Sequence, residues 1–192
     1  MPTIRQIRPS RRAASSSLQG GQARRVRVLV YDGVDLLDLA GACEVFVLAN
    51  MLGAAEPQGM LARAAGTPRY RLEMVSAGCG RAVTTHSGLR FVADRRVVDT
   101  PAARGVSLLV PGGDVREVAR RTVVREWVSR QSRLASRVVS VCSGALLLAA
   151  SGVLAGRRCT THWMAFDSLA EIEPSAAIDR ESIYVRDGDV WT

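Results

Sequence analysis

The chain has 192 residues, enough for one α/β domain with a sizeable hydrophobic core. Its formal net charge is +8, and every basic residue is an arginine. Six arginines lie in the first 25 residues, which contain no acidic residue, so the rest of the chain has 20 arginines against 18 acidic residues. The basicity therefore belongs to an N-terminal arm, and the near-neutral remainder is not a nucleic-acid-binding body.

The sequence contains no apolar run of membrane-spanning length, so we expect no membrane partner. The cysteines are scattered without CxxC spacing, at Cys43, Cys79, Cys142 and Cys159. This spacing indicates neither a zinc site nor a disulfide framework, and we predict no metal and no cofactor. Free thiols fit a reducing, cytoplasmic setting best.

Residues 1–25 are rich in Arg, Ser and Gly and lack apolar periodicity, which predicts a disordered arm before a domain at 26–192. The arm is interpreted as a solvated tail; phosphate contact is the alternative.

The first predicted elements are a strand at residues 26–31 and a helix from Leu36 to Leu52, whose apolar residues recur at helical spacing. Asp38 falls at the start of this helix, just beyond the end of the strand. In an open α/β sheet that position lies in the crevice where ligands bind, although helix capping is the ordinary role of such an Asp. Glu44, on another face of the helix, is a second candidate carboxylate.

A loop is predicted at residues 53–69, followed by a strand, a hairpin and a buried strand at 70–76, 81–93 and 106–110. The buried strand runs directly into Pro111-Gly112-Gly113. Two glycines there expose backbone N–H groups that could serve an oxyanion hole, and a plain turn is the alternative.

The chain is organised around a β-branched run at residues 138–141 that passes directly into a leucine-rich helix. Only Cys142, Ser143 and Gly144 separate the strand from the helix. So sharp a turn predicts a nucleophile elbow with strained backbone at Cys142, whose sulfur faces a helix N-terminus that favours thiolate. Simple core packing of Cys142 is the alternative.

Further helices are predicted at residues 114–120, 122–134 and from His162 to 170, and a hairpin is predicted at residues 182–192. Alternating strands and helices predict an α/β fold: a doubly wound, mostly parallel sheet with helices on both faces. The sequence contains no Walker loop, GxGxxG or evident helix-turn-helix.

Several spaced motifs resemble the ThiJ/PfpI superfamily, which has a flavodoxin-like fold related to class I glutamine amidotransferases. They are Tyr31-Asp32-Gly33-Val34-Asp35-Leu36-Leu37-Asp38-Leu39-Ala40-Gly41, Val110-Pro111-Gly112-Gly113, Ser140-Val141-Cys142-Ser143-Gly144-Ala145, Gly152-Val153-Leu154-Ala155-Gly156-Arg157-Arg158 and Thr160-Thr161-His162-Trp163. By this resemblance Cys142 is the nucleophile, Asp38 its acidic partner, and Gly113 and Ser143 supply backbone donors. His162 matches an accessory histidine near the nucleophile.

Two branches share these motifs: the N-terminal domain of GlxA-type AraC-family transcriptional regulators, and isocyanide hydratase. Ser143 stands where the proteases of the superfamily carry His, so the resemblance argues against a protease. Ala42 replaces the Pro usual in the first-helix motif, and the family pattern continues beyond Thr192, so the resemblance predicts a truncated domain.

We interpret the chain as a ligand-sensing and dimerisation domain of a transcriptional regulator, with a small molecule bound beside Cys142. DNA binding would then belong to a C-terminal region absent from this chain, and the resemblance implies a homodimer. Two alternatives stay open: an isocyanide hydratase-like enzyme with Cys142 as nucleophile and Asp38 as acid and base, and a thiol redox sensor.

Overall fold

The computed structural model describes residues 23–52 and 68–192. Most of the predicted N-terminal arm and of the predicted loop at 53–69 lies outside these residues. The first strand begins at Arg24, so two arginines assigned to the arm belong to the sheet.

The described residues form a mostly parallel sheet, two small two-stranded sheets and five α-helices. The strands are β1 Arg24–Val30, β2 Tyr70–Ser76, β3 Ala82–Thr84, β4 Arg90–Val92, β5 Arg95–Arg96, β6 Ser107–Val110, β7 Arg137–Ser140, β8 Arg158–Cys159, β9 Ala177–Ile178, β10 Arg186–Asp187 and β11 Val190–Trp191. The helices are α1 Leu36–Leu52, α2 Val115–Arg120, α3 Thr122–Leu134, α4 Gly144–Ala150 and α5 Phe166–Ile172.

The main sheet has the strand order β10-β11-β7-β6-β1-β2-β5, and only the edge pair β10–β11 is antiparallel. Its five central strands, numbered among themselves along the chain, lie in the order 2-1-3-4-5. That is the flavodoxin-like, doubly wound arrangement, so the predicted fold class is confirmed.

The two innermost strands, β1 and β6, are largely buried, as expected for the middle of a parallel sheet. Val26, Val28 and Val30 of β1 have no exposed surface, and the neighbouring β6 is buried along its whole length. Right-handed crossovers place α1 and the α2–α3 pair on opposite faces, because the β1–β2 and β6–β7 connections run in opposite directions along the sheet. No helix of the described residues is both long and apolar enough to cross a bilayer.

The C-terminal half departs from the prediction in detail. The helix expected from His162 starts as a 3₁₀ turn, Trp163–Ala165, before α5. The terminal hairpin is present as β10 and β11, and β11 joins the main sheet beside β7. Side-by-side pairing of β11 with β7 is a long-range contact that local sequence does not encode.

The direction of winding reverses between β1 and β6, and the crevice beyond their carboxyl ends is the usual ligand position in this architecture. An isolated bridge between Val34 and Gly113 ties the two loops that follow these strands. The turn that contains Cys142 follows the neighbouring strand β7 at the same edge.

Candidate functional site around Cys142

Cys142 lies in the short turn between β7 and α4 with a backbone φ of +55°. Among the described residues it is the only non-glycine residue with positive φ. Such a conformation costs free energy and persists only where its surroundings impose it. The predicted strain at Cys142 is therefore observed, and the half-buried side chain is not a core-packing cysteine.

Thr161 holds the backbone of this turn. Its Oγ1 donates a hydrogen bond of 3.0 Å to the carbonyl oxygen of Cys142. In the sequence, Thr161 is noted only as part of the Thr160-Thr161-His162-Trp163 motif, with no role of its own. The available signal was its place beside His162 in a motif already connected with the site.

Asp38 reaches the turn from the first turn of α1. Asp35 caps that helix, its Oδ1 accepting from the backbone N–H of Leu37 at 2.8 Å and, more weakly, from that of Asp38 at 3.4 Å. Asp38 is thus released from capping, and its Oδ2 accepts from the N–H of Gly112 at 3.2 Å. Its carboxyl group also interacts with the Cys142 side chain.

The Cys142–Asp38 pair retains protons more strongly than isolated groups do. Burial, followed by the charge of Asp35, raises the pKa of Asp38, against hydrogen bonds from Cys142 and Gly112 and the charge of His162. Burial also raises the pKa of Cys142, and Asp38 adds to the rise, while the Ser143 N–H opposes it. The backbone N–H at the start of the helix thus favours thiolate, as the sequence predicts, but burial and Asp38 outweigh it and the pKa of Cys142 is raised.

Gly113 and Ser143 are joined by a reciprocal pair of hydrogen bonds. Ser143 Oγ accepts from the Gly113 N–H at 3.0 Å and donates to the Gly113 carbonyl at 3.1 Å. The Gly113 N–H is thus engaged by Ser143. Its role as a donor to a developing negative charge stays a prediction, and so does that of the Ser143 N–H.

Gly112, which the sequence analysis paired with Gly113 only as a source of exposed backbone N–H groups, lies at the centre of the cluster. A Cβ at this position would lie 2.6 Å from Asp38 Oδ2 and 2.9 Å from both Cys142 Cβ and Ser143 N. The missing side chain is what lets the carboxyl group and the thiol approach the same backbone segment. The Gly-Gly pair after a buried strand was the sequence signal.

Tyr31 supports the same loop from beneath. Its hydroxyl donates to the Pro111 carbonyl at 2.8 Å. Burial, the largest effect, and the charges of Asp38 and Cys142 raise the pKa of Tyr31 far above its usual range. Tyr31 therefore remains a neutral donor at every physiological pH.

The two accessory candidates differ in placement. His162 is half-buried, caps the 3₁₀ turn by accepting from the Met164 N–H at 3.3 Å through Nδ1, and is close enough for its charge to act on Asp38. Glu44 is exposed on α1, more than a helical turn from Asp38, and is not among the groups that most strongly shift the pKa of Asp38 or Cys142.

The other cysteines play no part in this cluster. Cys43 and Cys159 are buried in the core, and Cys79 is exposed; all four thiols are free. Within residues 23–52 and 68–192, no three His, Cys, Asp or Glu side chains are grouped so that they could hold a metal ion.

The sequence from residue 24 to residue 192 matches the model of the DJ-1/PfpI family. The chain therefore belongs to the DJ-1/PfpI family, as its motifs indicated.

Three curated relatives match this chain over different shares of their own length. An uncharacterized protein from the cpoL 5′ region of Streptomyces lividans is 40% identical over 79% of this chain and 96% of its own length. The HTH-type transcriptional regulator GlxA of Rhizobium meliloti is 30% identical over 94% of this chain but only 50% of its own length. Isonitrile hydratase of Pseudomonas putida is 34% identical over 57% of this chain and 46% of its own length. The chain thus spans about half the length of two of these relatives.

Among solved structures, a THiJ/PfpI family protein from Pseudomonas syringae superposes with a TM-score of 0.69 at 25% sequence identity. The match covers 96% of this chain and 68% of the other chain. The match supports the α/β fold described above.

Proposed function

We propose that this chain is the ligand-sensing and dimerisation domain of a transcriptional regulator, with a small molecule bound beside Cys142. The observation that carries the proposal is the convergence of Cys142, Asp38 and the Gly112-Gly113 loop at the switch point of the sheet. Similarity to the regulator GlxA over 94% of the chain supports the regulatory class.

The ligand would meet both polar and apolar groups. The Cys142–Asp38 pair offers a thiol and a carboxyl group that can donate or accept a proton. Leu37, Trp163 and Met164, neighbours in sequence of Asp38 and His162, are 79%, 72% and 71% exposed. A small molecule with one polar, hydrogen-bonding end and an apolar body matches this combination.

Helix α1 offers a surface for the dimer. Val45, Leu48 and Leu52 recur at helical spacing and are at least half exposed. An exposed apolar stripe on a helix is normally covered by another element, and a second copy of the chain would cover it here. Because α1 also carries Asp38, a ligand contact at the site would be transmitted directly to this interface.

The dimer is tested by light scattering on size-exclusion fractions. Val45→Glu on α1 should dissociate the dimer, because it buries a charge in the interface. Val92→Glu on β4 is the matched control, since Val92 is 65% exposed and Val45 63%. A monomeric wild type, or equal effects of both substitutions, would exclude this interface.

An isocyanide hydratase is the second candidate, favoured by the pairing of a cysteine with a carboxyl group and by similarity to isonitrile hydratase over 57% of the chain. Cys142 sulfur would bond to the terminal isocyanide carbon while Asp38 takes the thiol proton and passes it to that carbon, giving a thioimidate. Water would then add to the same carbon and the carbon–sulfur bond would break. The product is an N-formamide, and the thiol is restored.

A thiol redox sensor is the third candidate. Oxidation proceeds through thiolate, and a raised pKa at Cys142 leaves little thiolate at neutral pH. The electrostatics therefore favour ligand binding, which needs no thiolate.

One experiment separates the three candidates. Wild-type protein and Cys142→Ser are incubated with an aryl isocyanide, and formamide is measured by chromatography; parallel samples receive hydrogen peroxide, with Cys142 oxidation followed by peptide mass spectrometry. Formamide from wild type alone would replace our proposal with the hydratase. Rapid sulfenic acid formation at Cys142 would replace it with the redox sensor. We expect neither product. We expect instead that a bound ligand raises the melting temperature of the wild type and that Cys142→Ser reduces this rise.

A further inference from the structure

The peptide group between Cys142 and Ser143 is held at one end by a side chain from a different part of the fold. Thr161 follows β8, nineteen positions along the chain from Cys142, and its hydroxyl donates to the Cys142 carbonyl at 3.0 Å. The carbonyl belongs to the residue with the strained φ of +55°. A hydrogen bond at this position therefore acts on the one strained non-glycine backbone position of the described residues.

Because the peptide group is rigid, the contact at the Cys142 carbonyl also affects the Ser143 N–H. In a planar trans peptide the C=O of one residue and the N–H of the next point in opposite directions. Fixing the Cys142 carbonyl on Thr161 therefore fixes the direction of the Ser143 N–H. That N–H is the backbone donor that interacts with the Cys142 side chain.

We propose that Thr161 is a positioning residue, which anchors the Cys142–Ser143 peptide plane so that the Ser143 N–H faces the Cys142 sulfur. The Thr161 hydroxyl thereby favours thiolate without touching the sulfur. This contact opposes the rise in thiol pKa that burial and Asp38 cause.

Other charged and titratable groups around Cys142 remain in place when the Thr161 hydroxyl is removed. They are Asp35 and Asp38 at the start of α1, Tyr31 after β1, and His162, whose charge acts on Asp38. A change in thiol ionisation on removal of the hydroxyl therefore reflects a changed orientation of the Cys142–Ser143 peptide plane rather than the loss of a charge.

The test measures the alkylation rate of Cys142 by iodoacetamide from pH 6 to pH 10, resolved by peptide mass spectrometry. Thr161→Val removes the hydroxyl and keeps the β-branched shape, and Thr161→Ser restores it. We expect Thr161→Val to raise the pH midpoint by roughly half a unit or more, the effect of one lost hydrogen bond to a thiolate, and Thr161→Ser to return it towards wild type. The exposed thiol of Cys79 is alkylated in the same molecules and serves as the internal reference between variants.

The matched control is Thr160→Val, which removes a neighbouring hydroxyl whose bond is to Ser182, at 3.4 Å, and not to Cys142. An unchanged Cys142 midpoint in Thr161→Val, or an equal shift in Thr160→Val, would overturn the proposal. If Thr161→Val does not fold, Thr161→Ala and Thr161→Ser give the same comparison of absent and present hydroxyl. The readout needs no ligand and no dimer, so this inference can fail while the proposed function stands, and the reverse.

Discussion

The Ser143 side chain binds both backbone polar groups of Gly113: its hydroxyl accepts from the Gly113 N–H at 3.0 Å and donates to the Gly113 carbonyl at 3.1 Å. Gly113 follows β6 and Ser143 follows β7, so one side chain joins the loops beyond two adjacent strands. The polar edge of the candidate site is thereby a fixed structure rather than two independent loops.

Ser143→Ala should destabilise the protein by about 1–3 kcal/mol, because it leaves both a donor and an acceptor of Gly113 without this partner. Urea unfolding followed by circular dichroism measures the change. Ser151→Ala is the matched control: its hydroxyl makes one hydrogen bond, to Leu147 within the same chain segment, and joins no separate loops. Equal losses for the two variants would show that the link between loops adds nothing.

Gly112→Ala should disturb the site by steric overlap rather than by backbone strain. The added Cβ would meet Asp38 Oδ2 at 2.6 Å and Cys142 Cβ at 2.9 Å, and overpacking of this kind costs about 1–3 kcal/mol. Gly41→Ala is the control, because nothing lies within 4 Å of a Cβ there, and alanine in a helix should stabilise by roughly 0.5–1 kcal/mol. Thermal unfolding should move in opposite directions for the two variants.

The raised pKa of Asp38 predicts a pH dependence of stability with a defined sign. The folded protein binds this proton more tightly than the unfolded chain, so the free energy of unfolding should fall as pH rises from about 4 through the folded-state pKa. Asp38→Asn retains an oxygen acceptor for the Gly112 N–H and removes the titration. The free energy of unfolding of the wild type minus that of Asp38→Asn, both measured in urea, should therefore decrease as the pH rises towards 7.

Asp99 supplies a control of opposite sign. Its hydrogen bond with Arg96 lowers the pKa of Asp99, so its contribution to stability is present above the ordinary carboxyl pKa and is lost as pH falls through the lowered one. Asp99→Asn should accordingly show the reverse trend. If Asp38→Asn followed the same trend as Asp99→Asn, a raised pKa at Asp38 would be excluded.

Asp38→Asn should also change the reactivity of Cys142. Both the charge of Asp38 and its hydrogen bond raise the pKa of the thiol, so the variant should lower the pH midpoint of alkylation. A downward shift of half a unit corresponds to about threefold more thiolate at neutral pH. An upward shift would instead show a protonated Asp38 that donates to thiolate, and Cys79 again provides the internal rate reference.

Local sequence patterns were sufficient for most of the fold. Helical spacing of apolar residues predicts α1 with its observed bounds, and the β-branched runs predict the central strands, because such patterns reflect burial of one face or of both. The direct passage from strand to helix at Cys142 predicts the strained φ, since no intervening residues are available to relax the turn.

The sequence also placed Cys142, Asp38, Gly113 and Ser143 at one edge of the sheet, which follows from parallel strand topology. It could not reveal how they are connected. That Gly113 is bonded to Ser143 and that Thr161 holds the Cys142 carbonyl both depend on contacts between distant segments, whereas the choice of Asp35 over Asp38 as the cap of α1 is a local one.

The protonation of the pair was likewise decided by tertiary structure. A helix N-terminus favours thiolate, and the sequence shows that α4 begins beside Cys142. Folding also buries Cys142 and brings a carboxyl group against its thiol, and both effects favour the protonated form. The sequence by itself determined which residues follow the strands at this edge of the sheet, whereas only the packing around them sets the direction in which their pKa values shift, because desolvation and charge–charge energies depend on distances in space.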